Sequence, residues 1–220
     1  MEIVKQEVYR SCNIGVFLKC NEKVLLVPNG LVETKVEKLS ASVHVPYVYT
    51  SVNGLRVIGP LVSMNSNGIL VSNFIEDYEL KSLREETGLN VERFPSTFTA
   101  IGNLLAANDH GAIASNLLST GQVNFIRDVL DVPVERMSIA GYIYTGSMIF
   151  STNVGTLVPP LTSEREIKEV EAILKTNIVP CTINGGVPII SSGIVGNSKG
   201  LVVGSLTGGN EIMNISMSFE

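Results

Sequence analysis

The sequence predicts an α/β fold in which five similar ββαβ units of about 44 residues close into a ring with pseudo-five-fold symmetry. Three observations lead to this prediction: an internal repeat, a hairpin signal in each copy, and a helical apolar stripe after most hairpins. Because a unit of this size cannot bury its apolar face alone, we expect all five to pack around one axis as a single domain, residues 1–220. A closed ring also leaves no sheet edge exposed.

The repeat is visible in glycines that have similar neighbours. Each follows an Asn-containing turn and precedes a short apolar run, and the intervals between them are 43, 44 and 45 residues. These glycines are Gly68, Gly111, Gly155 and Gly200. The segment Asn-Glu-Lys-Val-Leu-Leu-Val has the same pattern without the glycine, and we place the first copy there, at Lys23, 45 residues before Gly68.

Each copy reads as a β-hairpin around its polar turn, followed by a helix. The helix of the fourth copy is the clearest, because Ser163 and Glu166 have the spacing of a capping box ahead of an apolar stripe. Thr120 is predicted to cap the helix of the third copy, and Gly88 to end that of the second in a left-handed conformation. The first and fifth helices are expected to be shorter.

A further strand closes each unit, as at residues 90–94 and 132–136. The last copy lacks this strand because the chain ends soon after Phe219. Residues 3–9 are β-rich and are therefore predicted to close the ring as the outer strand of the last unit.

Composition narrows the possible partners. The net charge is −5, and no stretch combines basic and aromatic residues as RNA-binding surfaces do. An acidic chain is better suited to a basic protein partner. The three cysteines have no CxxC spacing, which argues against a disulfide framework or a zinc knuckle and favours a reducing compartment. No signal peptide or membrane span is apparent, so a cytoplasmic location is expected.

Several segments resemble the archaeal and eukaryotic translation initiation factor six family, in the same order along nearly the whole chain. They are residues 13–17 (NIGVF), 68–71 (GILV), 100–103 (AIGN), 108–109 (ND), 146–147 (GS), 153–159 (NVGTLVP) and 179–184 (VPCTIN). Two basic residues of the family pattern are replaced here by Pro60 and Gly185, so charged contacts are not expected there. Because the chain stops at Glu220, without the eukaryotic tail, the resemblance points to the archaeal branch.

The resemblance implies the pentein architecture, a five-fold α/β propeller, and a factor that binds the large (50S) ribosomal subunit and prevents the small (30S) subunit from joining it. Its implied partner is mainly a ribosomal protein at the joining face, with the sarcin-ricin loop of the rRNA nearby. We expect a monomer without a cofactor, small-molecule substrate or membrane contact. Asn103 matches a family position on the docking face, and Asn65, Asn108 and Met148 are further candidate contacts, although Asn65 and Asn108 also suit structural turns.

The alternative function is that of a cysteine-dependent guanidine or amidine hydrolase or transferase, because such enzymes share this fold. Its catalytic group would have to come from Cys181, His110 and Asp109. Cys181 lies in an apolar segment, where a cysteine is usually a small buried hydrophobe, so the sequence favours a protein without catalytic residues. With two histidines and no HxH or HxxE spacing, we predict no metal site.

Overall fold

A computed structural model describes residues 2–219 and contains five sheets of three strands each. In chain order the strands are β1 (Glu2–Gln6), β2 (Lys19–Cys20), β3 (Leu25–Pro28), β4 (Tyr47–Thr50), β5 (Val62–Met64), β6 (Gly68–Val71), β7 (Asn90–Arg93), β8 (Leu105–Ala107), β9 (Ala112–Ala114), β10 (Val134–Arg136), β11 (Phe150–Ser151), β12 (Gly155–Val158), β13 (Asn177–Pro180), β14 (Ile194–Gly196) and β15 (Gly200–Gly204). In each sheet the middle strand pairs antiparallel with the strand before it and parallel with an outer strand.

Five long helices follow the middle strands, and two short helices precede β8 and β11. In chain order the helices are α1 (Glu33–Val43), α2 (Asp77–Thr87), α3 (Ile101–Leu104), α4 (Thr120–Leu130), α5 (Thr145–Met148), α6 (Glu164–Leu174) and α7 (Gly209–Ser218). Short 3-10 turns at Ile14–Val16, Gly59–Leu61 and Ile190–Ser192 take the place of the short helix in the other units. Within residues 2–219, no helix has the length and apolar character needed to cross a membrane.

The N-terminal strand closes the ring, as the sequence predicted. Strand β1 pairs in parallel with β15, from Glu2 opposite Gly200 to Gln6 opposite Gly204, and so completes the fifth sheet. The fifth middle strand therefore has neighbours on both sides, like the other four. The five-unit α/β fold predicted from the repeat is confirmed.

The core is divided into five apolar clusters, and each mixes side chains from two adjacent units. In one, Leu26 of the first unit packs with Ile69 of the second, and in another Leu157 of the fourth packs with Leu201 of the fifth. The other three clusters bridge the remaining boundaries in the same way. Since each unit buries its apolar face against its neighbours, the stability of one unit depends on the next.

Local predictions were confirmed in part. Ser163 and Glu166 do form a capping box, and Gly88 ends α2 in the left-handed region with φ 64°. The predicted cap at Thr120 was one residue late, because Ser119 accepts from the amide of Gln122. The first and fifth helices are not short, since they have 11 and 10 residues; their weakly patterned sequences are held by packing on the ring.

Candidate functional site

The ring has two chemically different ends. In each unit the middle and outer strands are parallel, so both finish at the same end. Tight turns follow four of the outer strands there, at residues 9–10, 53–54, 140–141 and 184–185, and we call this the turn end. The middle strands begin at the opposite end, at the Asn-containing turns, and we call it the asparagine end.

At the asparagine end, one side chain in each unit organises the turn before the middle strand. The Asn65 carboxamide oxygen accepts hydrogen bonds from the amides of Asn67 and Gly68. The same pattern recurs at Asn21, Asn108 and Asn197, and the Thr152 hydroxyl takes this place in the fourth unit. The first copy is therefore aligned on Asn21 and Val24, one residue later than the predicted Lys23.

The amide nitrogens of these asparagines join each unit to the next. Asn21 donates to the carbonyl of Asn65, Asn65 to that of Asn108, Asn108 to that of Thr152, and Asn197 to that of Asn21. This circle of hydrogen bonds has one gap, between Thr152 and Asn197, because threonine has no amide to donate. Buried amides that are fully bonded stabilise a unique arrangement of the units.

The structure places three of the four predicted docking residues in the interior. Asn65 and Asn108 are buried, and their polar atoms are used within the ring. Met148 is also buried, within the cluster that contains Ile113 and Val158. The structure therefore does not support these three as contact residues, because their side chains do not reach the surface.

The turns at the turn end are held by carboxylates of the helices beside them. Glu79 of α2 accepts from the backbone amides of Asn53 and Gly54 and from the Ser51 hydroxyl. Glu211 of α7 does the same for the turn at residues 185–186, with Thr182 as the hydroxyl donor. The turns are thereby fixed to rigid helices, which gives this end a defined shape.

These carboxylates are kept ionised. Burial alone would raise the pKa of Glu79, but the hydrogen bonds from Ser51, Gly54, Glu76 and Asn53 outweigh it and hold the pKa below its usual range. The pKa of Glu211 is lowered for the same reason: burial is opposed by a hydroxyl and three backbone amides. Both helices thus start with a buried negative charge next to their positive dipole end.

A second glycine series joins the units at the turn end, through backbone packing. The α-carbon of each glycine lies against the carbonyl of the preceding one in the series. A Cβ on Gly59 would be 1.8 Å from the Gly15 oxygen, and one on Gly102 would be 2.0 Å from the Gly59 oxygen. A Cβ on Gly146 would be 2.3 Å from the Gly102 oxygen. In the fifth unit the Ser191 hydroxyl donates to the Gly146 carbonyl. This series was missed in the sequence, although its spacings of 44, 43 and 44 residues were visible.

The residue after each of these positions lines the mouth of a central channel. The five mouth residues, all partly exposed, are Val16, Pro60, Asn103, Ser147 and Ser192. The side chain of Asn103 makes no hydrogen bond with any residue in 2–219; only its backbone amide is bonded, to Ala100. Asn103 is therefore the one predicted docking residue whose polar groups are available.

Exposed apolar side chains lie at this same end of the ring. They lie in the turns, or between a turn and the following short helix, and we call them the apolar patch: Tyr9, Leu55, Phe98, Tyr142, Ile143, Tyr144 and Ile189. Tyr144 is 51% exposed. The Arg56 guanidinium lies 5.6 Å above the Tyr9 ring and adds a cation to the patch. Aromatic residues and arginine concentrated on one face are typical of protein interfaces.

The residues needed for the enzymatic alternative are not brought together. Cys181 follows β13 at the turn end, whereas Asp109 and His110 lie in the turn between β8 and β9 at the asparagine end. Burial, assisted by the nearby Glu211 charge, raises the pKa of Cys181 to about 11, so the thiol is not a ready nucleophile. Asp109 binds Ser66 and Asn153 of neighbouring units.

Among residues 2–219, no three His, Cys, Asp or Glu side chains are placed to hold a metal ion.

Comparison with known proteins agrees with the repeat and the fold. The sequence model described as the eIF-6 family matches residues 3–218. Translation initiation factor 6 of Nitrosopumilus maritimus is 39% identical over 219 residues, which are 100% of this chain and 99% of that protein. The corresponding factor of Cenarchaeum symbiosum is 35% identical with the same coverage, and eukaryotic translation initiation factor 6 of Dictyostelium discoideum is 34% identical over 95% of this chain and 87% of that protein.

Among solved structures, an adduct of dimethylarginine dimethylaminohydrolase with S-methyl-L-thiocitrulline superposes with a TM-score of 0.51. The match covers 93% of this chain and 72% of that one at 12% sequence identity. At this identity the likeness concerns the fold alone, which is the five-fold pentein architecture.

Proposed function

The chain belongs to the eIF-6 family of translation initiation factors, and we propose that it binds the large ribosomal subunit through its turn end and prevents the small subunit from joining. The observation that carries the proposal is the combination, at one end of the ring, of the apolar patch with the free amide of Asn103. At the other end, the asparagine side chains are bonded to the backbone within the ring. The turn end is thus the end with groups to offer a partner.

The partner that best fits this end is a ribosomal protein. The patch provides aromatic anchors, Asn103 provides hydrogen bonds, and the chain as a whole is acidic with a net charge of −5. Ribosomal proteins are predominantly basic, so long-range attraction would bring the two together while the patch provides the contact area. The acidic chain and the rRNA phosphates repel each other, which disfavours extensive RNA contact. The sarcin-ricin loop is therefore expected to lie near the factor rather than to be its main contact.

Exclusion of the small subunit requires only that the shared surface be occupied. A ring whose units are joined by buried hydrogen bonds and close backbone packing is a rigid obstacle. We propose that one copy of the factor acts in this way without a nucleotide, a metal or a catalytic step. Binding is therefore expected to survive chelation.

The test is sedimentation with separated ribosomal subunits. The purified chain is expected to sediment with the large subunit alone, and to increase free subunits at the expense of joined ribosomes in proportion to its occupancy. Binding only to the small subunit, or no loss of joined ribosomes at saturating factor, would show that the proposal is wrong.

Asn103→Arg tests whether the turn end is the docking end. A large charge at the channel mouth would clash with a packed partner and would be desolvated, so binding to the large subunit is expected to weaken by roughly tenfold or more. Glu171→Arg is the matched control, because Glu171 is exposed on α6, away from the mouth. Equal loss of binding in both variants would point to general charge effects, and loss in Glu171→Arg alone would place the interface elsewhere.

A further inference from the structure

A channel runs into the ring from the turn end, and a lysine side chain lines it. Its volume is about 290 Å³, and its wall is formed by the first strands of the five units and by the mouth residues. Of the described residues 2–219, Lys19, on β2, is the single charged one that lines it. The counterparts of Lys19 in the other units are uncharged: Ser63, Ala106, Phe150 and Val195.

The Lys19 ammonium lacks a counterion in the part of the chain that the structure describes. Among residues 2–219, no carboxylate lies within salt-bridge distance of it and no group accepts a hydrogen bond from it. The side chain keeps contact with the channel space but is otherwise surrounded by protein. Desolvation by this burial lowers the pKa of Lys19 to about 8, so at neutral pH the amine is still mostly protonated.

A protonated amine enclosed in this way is costly unless an anion accompanies it. Exposed lysines avoid the cost by extending into water, whereas Lys19 is on a strand that lines the channel. The channel, by contrast, has room beside the ammonium for a group larger than water. It is also open to solvent through the mouth, where Ile189 is exposed.

The mouth offers further donors to an anion. The Asn103 amide and the Ser147 hydroxyl make no side-chain hydrogen bond with any residue in 2–219, and both line the channel. None of the aspartates and glutamates between residues 2 and 219 lines it to repel a negative ligand. The rest of the wall consists of small and apolar side chains, which strengthen electrostatic interactions by excluding water.

We propose that the channel binds one small oxyanion, of the carboxylate or phosphate class, with the Lys19 ammonium as its principal contact. The mouth of this site, with Asn103, belongs to the end proposed above for docking, but anion binding needs no partner because the site is formed within a single ring. Charge-assisted hydrogen bonds of this kind are the strong ones, and a buried ammonium gives them a defined position.

The experiment is isothermal titration of the purified chain with inorganic phosphate and, separately, with succinate, in a chloride-containing buffer at pH 7. Saturable binding of one equivalent of either anion is expected. Lys19→Met, which keeps the length and removes the charge, is expected to weaken binding by roughly tenfold or more. Lys38→Met is the matched control, since Lys38 is exposed on α1, and its affinity is expected to equal that of the wild type.

A thermal unfolding series keeps the test decisive if Lys19→Met folds poorly. The bound anion is expected to raise the Tm of the wild type with increasing concentration, and to do the same for Lys19→Arg, which retains the charge. Three outcomes would overturn the proposal: no binding of either anion to the wild type, equal affinity in Lys19→Met, or equal weakening in Lys38→Met.

Discussion

Glycines pack on the backbone of a neighbouring unit at both ends of the ring, but only the asparagine end adds a circle of side-chain amides. There Gly68 packs on the carbonyl of Val129, and the Asn65 amide donates to the backbone of Asn108. At the turn end, glycine backbones pack directly on each other, as Gly102 does on Gly59. This difference determines which side chains each end can offer a partner. The asparagine amides are already bonded within the ring, whereas the side chains next to the turn-end glycines remain free.

The largest effect is expected from a methyl group in the turn-end joint. In Gly102→Ala, the new Cβ would lie 2.0 Å from the Gly59 oxygen and 2.7 Å from that of Val62, both backbone atoms that cannot move without shifting a unit. We expect a loss of about 3 kcal/mol or more in the free energy of unfolding, measured by urea denaturation. We also propose that the chain is one domain, so the loss should appear in a single transition.

Gly121→Ala is the control for that substitution. Gly121 lies in α4, and its Cβ would meet nothing closer than 4.0 Å. Alanine is the better helix former, so a gain of roughly 0.5–1 kcal/mol is expected. A similar loss in both variants would mean that the close approach at Gly102 is not what joins the units.

At the asparagine end, Asn65→Ala removes a side chain that is bonded on both sides. The carbonyl of Asn108 loses its donor and that of Leu130 keeps only the bond from Asn67, while the amides of Asn67 and Gly68 lose their acceptor. We expect a loss of roughly 2–3 kcal/mol in unfolding free energy, without a change in affinity for the large subunit if the variant is folded. Weaker binding by the folded variant would contradict the assignment of docking to the turn end.

Asn116→Ala is the control for Asn65→Ala, because Asn116 is exposed in the loop between β9 and α4. A surface substitution of this kind is expected to change stability by less than about 0.5 kcal/mol.

Glu79→Gln tests how the turns of the docking end are held. The lowered pKa of Glu79 means that its contribution is complete above the pKa of an unfolded glutamate, about 4.3, and is lost as pH falls through the lower folded value. The variant is therefore expected to be about 1–2 kcal/mol less stable at pH 7, with the difference shrinking below about pH 4.

Glu85→Gln, on the exposed side of the same helix, is the control and is expected to change little at either pH. Urea denaturation at pH 7 and pH 3.5 provides both comparisons. A difference between Glu79→Gln and wild type that stays constant across this range would show that the carboxylate charge is not what fixes the turn.

The smallest effect is expected at Thr152, where the circle of asparagine hydrogen bonds has its gap. Thr152→Asn would supply an amide able to reach the carbonyl of Asn197, which the threonine cannot bond. A gain of roughly 0.5–1 kcal/mol is expected, seen as a small rise in Tm. A loss of stability would mean that the hydroxyl bonds of Thr152 to Val154 and Gly155 suit this turn better than an amide does.

Much of the fold could be predicted from the sequence because it rests on local signals. The Asn turns, the capping box at Ser163 and the left-handed Gly88 each involve residues only a few positions apart, so their patterns are legible in the chain. The 44-residue period then indicated how many such units there are. For the same reason the weakly patterned first and fifth helices were underestimated, since packing rather than local sequence stabilises them.

The sequence by itself therefore determined the repeated unit, its number and the family resemblance, whereas the tertiary structure decided which side chains are available. Asn65, Asn103 and Asn108 are the same residue type in similar glycine-containing surroundings, yet two are buried and bonded across units and one faces the channel mouth. Likewise, nothing local to Lys19 indicates that it faces an enclosed space. The burial of Asn65 and Asn108 depends on hydrogen bonds to a neighbouring unit, 43 or more positions away, and the channel beside Asn103 and Lys19 is lined by all five units, so it exists only once the ring has closed.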